Sequence, residues 1–254
     1  MKKTKLLKMA MAIVTLGTLL VGCGAKDSNE GTKYLIATDS KFAPFSFEEN
    51  GNYKGIDVDI LAEVAKAAGF EYELKPMDFG AIIPAIKSNQ IDAAIAGMGI
   101  TDERKESLDF SEPYFESGLS MVIKGDNTEI NGVEDLNGKT VAVKKGTAGE
   151  KWALDNEKNY NLKVKHFEDS PSIFLEVQGR NSDFLLDDYP VIAYKVKVDA
   201  NNELKIVGDK VTTSNYGFAV NKGKNTELMT KFQAGLKTIK ENGKYDEILS
   251  KYIK

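Results

Sequence analysis

The chain has 254 residues, with 34 Lys and Arg against 38 Asp and Glu and a formal net charge of −4, an acidic balance that argues against a nucleic-acid partner. A single cysteine and a single histidine exclude an intrachain disulfide and leave no donor set for a zinc or other soft-metal site. The length suffices for one large domain or two smaller ones with real cores.

Met1 to Lys8 carries Lys2, Lys3, Lys5 and Lys8, and Met9 to Val21 is an apolar run too short to cross a bilayer comfortably. That pattern is an export signal, over residues 1–22, rather than a membrane helix. It ends in Leu20-Val21-Gly22-Cys23, which resembles the lipobox of bacterial lipoproteins, where the chain is cut before the cysteine and the thiol is lipid-modified. The alternative is an ordinary signal peptide with a chance cysteine; the lone Cys standing where the apolar run stops favours lipidation of Cys23. Residues 23–32 then form the lipidated N-terminus and a polar, flexible tether (GAKDSNEGT). Losing residues 1–22 removes four lysines and no acid, taking the net charge from −4 to −8. No later segment is apolar enough to be transmembrane.

From Thr32 onward strands and helices alternate. Tyr34 to Ala37 reads as a strand, and Asp57 to Ala68 as an amphipathic helix with Ile60, Leu61, Val64, Ala65 and Ala68 on one face and Gly69 as its stop. Tyr72 to Lys75 is a strand, Ala81 to Ser88 a helix and Ile91 to Ala96 a buried strand. Thr140 to Val143 is a strand before a helix from about Thr147, and His166 ends a further strand. Ser170-Pro171 reads as a cap followed by proline at the first helical position, Phe184 to Leu186 as a short buried strand, and Asn225 to Asn242 and Tyr245 to Tyr252 as closing helices. The alternation argues an α/β architecture with mostly parallel sheets. Leu119 to Ile123 and Tyr216 to Val220 break it, as two extended apolar runs suited to two parallel crossovers between domains. One domain is then built from both ends of the chain and the other from its middle.

Gly97-Met98-Gly99-Ile100-Thr101-Asp102-Glu103-Arg104 packs backbone donors, a cap and an arginine into one stretch. The glycines let the chain turn and let another molecule approach its backbone, and Thr101 with Asp102 and Glu103 reads as a helix start. Exposed amides there favour a carboxylate, and Arg104 is able to close on it with two donors. The competing reading is a strand-turn-helix junction whose arginine lies on the surface, since G-x-G alone is a weak signal.

Enzyme signatures mostly fail. A Ser-His-Asp triad has only His166 to use and no G-x-S-x-G elbow is present, so a structural or surface histidine is the better reading. Gly138-Lys139-Thr140 fails as a phosphate loop on the spacing from Gly132 and because it leads into a strand. Asp57 with Asp59, and Asp187 with Asp188, remain as candidates for acid-base work or hard-cation binding.

An ordered set of motifs carries a family resemblance. These are Thr38-Asp39 with Phe42-Ala43-Pro44-Phe45, Gly55-Ile56-Asp57-Val58-Asp59, Lys75 to Phe79, Ile82-Ile83-Pro84-Ala85, Ile100 to Arg104 with Asp109-Phe110-Ser111, Val143-Lys144 with Gly146-Thr147, Asp187-Asp188-Tyr189-Pro190, and Tyr216-Gly217. From about Lys33 to the C-terminus the chain resembles the bacterial extracellular solute-binding proteins of family 3, the amino-acid receptors of ABC importers, and most of all their glutamine-binding branch. The resemblance implies a two-lobed clamp of the type II periplasmic-binding-protein kind joined by two hinge strands. Residues 33–116 plus 216–254 form lobe 1, and residues 117–215, hinge strands included, form lobe 2.

On that resemblance Arg104 holds the ligand's α-carboxylate, helped by backbone amides at Gly99 and near Ala148, where a helix starts. Asp188 takes the α-ammonium beside the Gly97 carbonyl, Phe42 and Phe79 cover the aliphatic part of the side chain, and Asp39 and Lys144 read its tip, one as acceptor and one as donor. Taken singly, Asp39 reads equally as a turn cap, Lys144 as a solvated lysine beside Lys145, and the two phenylalanines as core. Two positions depart from the family. Gly99 stands where Thr or Ser is usual, losing a hydroxyl for the α-ammonium, and Asp187 stands where the glutamine-binding branch can carry histidine, which brings in basic amino acids as alternative ligands. The implied function is a monomeric, lipid-anchored extracytoplasmic receptor that hands a polar L-amino acid, glutamine, to an ABC permease without cofactor, metal or catalysis. An enzyme remains the competing class, because related clamps include a dehydratase of cyclic amino-acid precursors.

Overall fold

The computed structural model describes residues 33–253; the export signal, Cys23 and the tether lie outside them. Strand β1 (Tyr34–Asp39) leads into a small antiparallel meander of β2 (Lys41–Phe42), β3 (Ser46–Glu49) and β4 (Asn52–Lys54) that sequence periodicity did not reveal. Helix α1 (Ile56–Ala68) buries Ile60, Leu61, Val64 and Ala65 and stops where Gly69 turns left-handed at φ 66°, a conformation glycine reaches without steric cost. Next come β5 (Tyr72–Met77), α2 (Phe79–Lys87), β6 (Ala93–Ala94), the single-turn α3 (Asp102–Lys105), β7 (Leu108–Phe110) and the long β8 (Phe115–Lys124). The expected strand from Ile91 to Ala96 pairs only over its middle pair of residues, although its ends are buried as well.

The middle of the chain folds as β9 (Thr140–Lys144), α4 (Ala148–Tyr160), β10 (Lys163–Phe167), α5 (Ser170–Gln178), β11 (Phe184–Asp188) and α6 (Tyr189–Val198). Ser170 is not the cap of α5: that place belongs to Asp169, whose carboxylate accepts the Ser172 N–H at 2.8 Å, and Ser170 is the first helical residue. The chain ends with β12 (Leu204–Tyr216), β13 (Ala219–Asn221), α7 (Thr226–Glu241) and α8 (Lys244–Ile253).

The strands make two five-stranded sheets, in the orders β5-β1-β6-β13-β7 and β10-β9-β11-β8-β12. Each is parallel on one side and antiparallel on the other, so the expected α/β class holds while the sheets are mixed rather than mostly parallel. The reason is the pair of segments that pass between the sheets. β8 and β12 run antiparallel to each other, from Phe115 opposite Tyr216 to Lys124 opposite Leu204, with a register shift between Val207 and Thr212. Leu119 to Ile123 therefore lies inside the second sheet and Ala219 to Asn221 inside the first; the passage itself is made by Phe115 to Ser117 beside Ser214 to Tyr216.

Three apolar clusters follow from this layering. One packs α1, α7 and α8 on the first sheet and continues to α5 and α6 on the second. The others fill the space under α2 and under α4. The carboxyl ends of β1, β6, β9 and β11 deliver Asp39, the Gly97 turn, Lys144 and the Asp187-Asp188 pair respectively, the end of a parallel strand at which α/β folds place ligands.

Candidate functional site

On the first-sheet side, Asp39 closes β1 and is almost fully buried at 1% exposure. One carboxylate oxygen accepts the Lys41 N–H at 3.0 Å, so the turn-capping reading is correct as far as it goes. The other accepts from Lys144 Nζ, which reaches over from the second sheet. Phe42 and Phe79 are both buried, and the Lys144 ammonium lies over them, 4.4 Å from the Phe42 ring centroid and 5.2 Å from that of Phe79. A desolvated ammonium between two ring faces is held by their quadrupoles as well as by its counter-ion.

The turn after β6 supplies backbone. Gly97 sits at φ 56° and its N–H donates to Asp57 Oδ2 at 2.7 Å, with the Tyr114 hydroxyl also within 3.1 Å of that nitrogen. Asp57, in the first turn of α1, is held in turn by the Tyr114 O–H at 2.8 Å. Gly99 pairs with Tyr216 in an isolated bridge, flanked by hydrogen bonds from Ile100 N–H to Asn215 and from Gly217 N–H to Met98. In that narrow pairing the polar groups of Gly99 turn away from the partner strand. Its carbonyl accepts Arg104 Nη1 at 2.7 Å.

Arg104 is placed by α3. Thr101 caps that turn, its hydroxyl accepting the Arg104 N–H at 3.2 Å, and the guanidinium stacks 5.5 Å above Phe79. Nη2 reaches across to the Gly146 carbonyl at 2.9 Å. Two of its five donors are thus spent on backbone oxygens, one from each side, which fixes the plane of the fork and leaves donors for an incoming carboxylate.

On the second-sheet side, the Lys144-Lys145-Gly146-Thr147 turn feeds α4. The Thr147 hydroxyl accepts the Glu150 N–H at 3.2 Å and donates to the Lys144 carbonyl at 2.6 Å, and Glu150 Oε2 accepts the Gly146 N–H at 2.7 Å. This variant of a capping box satisfies the flanking donors and leaves Ala148, the first helical residue, at the positive end of a 13-residue helix. His166, read as structural or surface, is partly exposed and bonds Glu150 Oε1 at 2.7 Å. Asp188 accepts the Tyr216 O–H at 2.6 Å, and its N–H donates to Asp187 Oδ1 at 2.8 Å. Asp187 Oδ2 is buried without a partner at full hydrogen-bond geometry, with the Ser170 hydroxyl beside the carboxylate.

Burial governs the charges. It pushes Asp188 up to about 7, with the Asp187 charge adding to the rise and Tyr216, Lys144 and Arg104 opposing it. Asp187 is also raised, chiefly by burial, and Asp57 is pushed up to about 7 for the same first reason.

The structure brings Phe42, Phe79, Gly97, Gly99, Arg104, Lys144, Ala148, Asp187 and Asp188 around one cavity of about 30 Å³, with Asp39 behind Lys144. Sequence reasoning missed three lining residues, Thr147, Ser214 and Tyr216. Thr147 was legible as a helix start and Tyr216 as part of an extended run, both also within motifs of the resemblance but given no place at the site, and nothing in the local sequence marks Ser214. Asp57 is not at the cavity; it acts on Gly97 from behind.

The model of the bacterial extracellular solute-binding proteins, family 3, matches residues 34–254. The arginine-binding periplasmic protein of Mannheimia haemolytica is 36% identical over 94% of this chain and 98% of its own. The ABC transporter glutamine-binding protein of Bacillus subtilis (strain 168) is 32% identical over 98% of this chain and 97% of its own. Among solved structures, an ancestral arginine-binding protein bound to arginine superposes with a TM-score of 0.82 at 41% identity, covering 87% of this chain and 98% of that one. An ancestral arginine-binding protein bound to glutamine gives 0.80, again at 41% identity, covering 87% and 97%.

Proposed function

This chain belongs to the bacterial extracellular solute-binding proteins, family 3, and from that premise we propose that it is the receptor of an ABC importer, a clamp that closes on a polar L-amino acid, glutamine. The observation that carries the reading is the Lys144–Asp39 ion pair held between Phe42 and Phe79, with Lys144 lining the same cavity as Arg104 and Asp188. A zwitterion needs one cation and one anion at its α-carbon, which Arg104 and Asp188 supply, with the α4 N-terminus at Ala148 and the backbone of Gly97 and Gly99 beside them. A side-chain amide needs one donor and one acceptor, which Lys144 and Asp39 supply. Lobe 1 is taken as residues 33–116 with 216–254 and lobe 2 as residues 117–215. Because Asp39, Phe42, Phe79 and Arg104 come from one lobe and Lys144, Ala148 and Asp188 from the other, ligand touches both only when the clamp is shut. Binding then appears as a population shift toward closure.

A second reading, a basic amino acid, is favoured by Asp187 Oδ2, buried without a partner at full hydrogen-bond geometry, an acceptor with no use for a neutral amide that already has Asp39. The same family membership supports an extracytoplasmic site of action. Lipidation at Cys23, an ABC permease as partner and a monomeric receptor complete the reading; Cys23→Ser should release the protein from membranes into the soluble fraction.

The test is calorimetry on the chain from Thr32 onward, unfolded and refolded to strip carried-over ligand, against the twenty amino acids and ornithine. One-to-one binding of glutamine, recovered unchanged, is the expected result, with Arg104→Ala and Asp188→Ala each abolishing it while the thermal melt stays cooperative. Full affinity in both variants would remove the site assignment, and turnover of the ligand would move the chain to the enzyme class.

A further inference from the structure

The Lys144 ammonium stands where the tip of a bound side chain belongs. It is paired with Asp39, roofed by both phenylalanine rings and 2% exposed, and the cavity left beside it is about 30 Å³, room for a water or two and far less than an amino-acid side chain. A ligand whose tip enters between the rings has to displace that ammonium or share its place.

A second set of acceptors lies within the same patch of sheet. In β9 and β11, which pair in parallel with Phe184 beside Val141 and Leu185 beside Ala142, the same register carried two residues further sets Asp187 beside Lys144. Ala142 and Leu185 face the cluster under α5 while Val141, Val143, Phe184 and Leu186 face the opposite one, so by the two-residue period of a strand Lys144 and Asp187 point to the α5 side together. On the other flank Asp187 stands opposite Ser120 of β8, and Ser170, the first residue of α5, brings its hydroxyl beside the Asp187 carboxylate. Asp187 Oδ2, Ser120 Oγ and Ser170 Oγ are each buried and none has a partner at full hydrogen-bond geometry, although the Ser170 hydroxyl lies near enough to Asp187 to favour its charged form. One carboxylate oxygen and two hydroxyl oxygens on one face can each accept from the three donors of a lysine ammonium, and buried polar groups are seldom left without a well-formed hydrogen bond unless something else uses them.

Resting on the amino-acid-receptor reading, we propose that Lys144 has two stations, Asp39 and the Asp187–Ser170–Ser120 cluster, and that its move to the second opens the slot to cationic side chains. In the first station the Lys144–Asp39 pair offers an amide tip one donor and one acceptor. In the second, Lys144 neutralises Asp187 and leaves Asp39 as a bare carboxylate between two aromatic faces, a setting for a guanidinium or ammonium tip. Asp187 then sets specificity without touching the ligand, by holding the lysine out of its way. One receptor thereby takes both an amide and a basic amino acid.

The test is a double-mutant cycle read by calorimetry with arginine and with glutamine, each variant first checked for a cooperative melt. Wild type is expected to bind both. Asp187→Asn is expected to weaken arginine at least tenfold, since the lysine loses its second station, and Ser170→Ala to weaken it several-fold. Lys144→Met is expected to strengthen arginine about tenfold and to weaken glutamine. In the Lys144→Met background, Asp187→Asn should alter arginine affinity less than twofold. An equal effect of Asp187→Asn in both backgrounds would mean direct contact with the ligand and overturn the two-station mechanism. Wild type that binds glutamine but never arginine would overturn it too, leaving the receptor reading intact, whereas wild type that binds no amino acid would remove both.

Discussion

The carboxylate of Asp57 accepts the backbone N–H of Gly97 at 2.7 Å, so the first turn of α1 grips from behind a turn that also lines the cavity. Burial is what pushes Asp57 up to about 7, with Asp39 adding to the rise while the Tyr114 hydroxyl and the Gly97 N–H oppose it. An acid with a folded-state pKa above its unfolded value binds more protons when folded, so its contribution to stability falls as pH rises from about 4 to about 7. Asp188 contributes in the same direction. Asp57→Asn keeps an acceptor for Gly97 and a donor for the Tyr114 oxygen. Urea melts at about pH 4.5 and about pH 7.5 should show that it reduces the pH-dependent loss of stability and leaves the share carried by Asp187 and Asp188; an unchanged slope would place the titration elsewhere.

The ammonium-binding role proposed for Asp188 makes ligand affinity depend on pH. Its pKa, pushed up to about 7 mainly by burial and then by Asp187, means that below neutrality it carries a proton and loses its attraction for an ammonium group. Affinity is expected to fall as pH drops through about 7, approaching tenfold per unit in the acid limb. Calorimetry near pH 6 in two buffers of different ionisation enthalpy should register proton release on binding. A dissociation constant flat from about pH 5 to 8 would contradict the role given to Asp188.

Gly99 has room for a side chain. A Cβ there would meet Arg104 Nη1 at 3.5 Å and Ser214 Cβ at 3.7 Å, both ordinary contact distances. Gly99→Thr is expected to add a hydroxyl acceptor for the α-ammonium, a charge-assisted hydrogen bond worth about 1.5–3 kcal/mol, and so to tighten binding at least tenfold. Unchanged affinity would show that the ammonium is already fully satisfied by Asp188 and the backbone.

Gly97 has none. At φ 56° a Cβ overlaps the Phe42 ring, so Gly97→Ala carries a left-handed backbone cost of roughly 1–2 kcal/mol and an overpacking cost of about 1–3 kcal/mol. The expected readouts are a melting temperature lower by several degrees and loss of ligand binding through displacement of Phe42. A melt indistinguishable from wild type would mean that the turn re-forms without strain.

Much of the architecture was written in local pattern. Ile60, Leu61, Val64 and Ala65 at helical spacing with Gly69 beyond them specify α1 almost to the residue, and Thr147 with Glu150 specifies the start of α4. What stayed hidden depends on distant partners. The antiparallel run of β8 beside β12 has no sequence signature, because β12 is largely polar and exposed and nothing in its residues marks β8 as its neighbour. The meander after β1 is too short for periodicity to register. At the site, nine of the ten residues named from the sequence line one cavity, yet the partnership of Lys144 with Asp39 spans 105 positions and appears only when the two sheets face each other. Family resemblance brought those residues together; spacing alone would have left Lys144 as one more lysine.

The first sheet receives β13 between β6 and β7, and α7 and α8 lay Leu228, Phe232, Leu236, Ile239, Ile248 and Tyr252 against Ile56, Ile60, Leu61 and Val64 of α1. A ribosome makes the chain in the opposite sense, delivering β1, α1, β5 and β6 long before those last elements exist. Until residue 219 and beyond have emerged, α1 has no partner for much of its apolar face and β6 no neighbour on one edge, so this half is held unfinished through most of synthesis. Completion of the first sheet and of the packing over α1 therefore waits on the last elements translated, β13, α7 and α8.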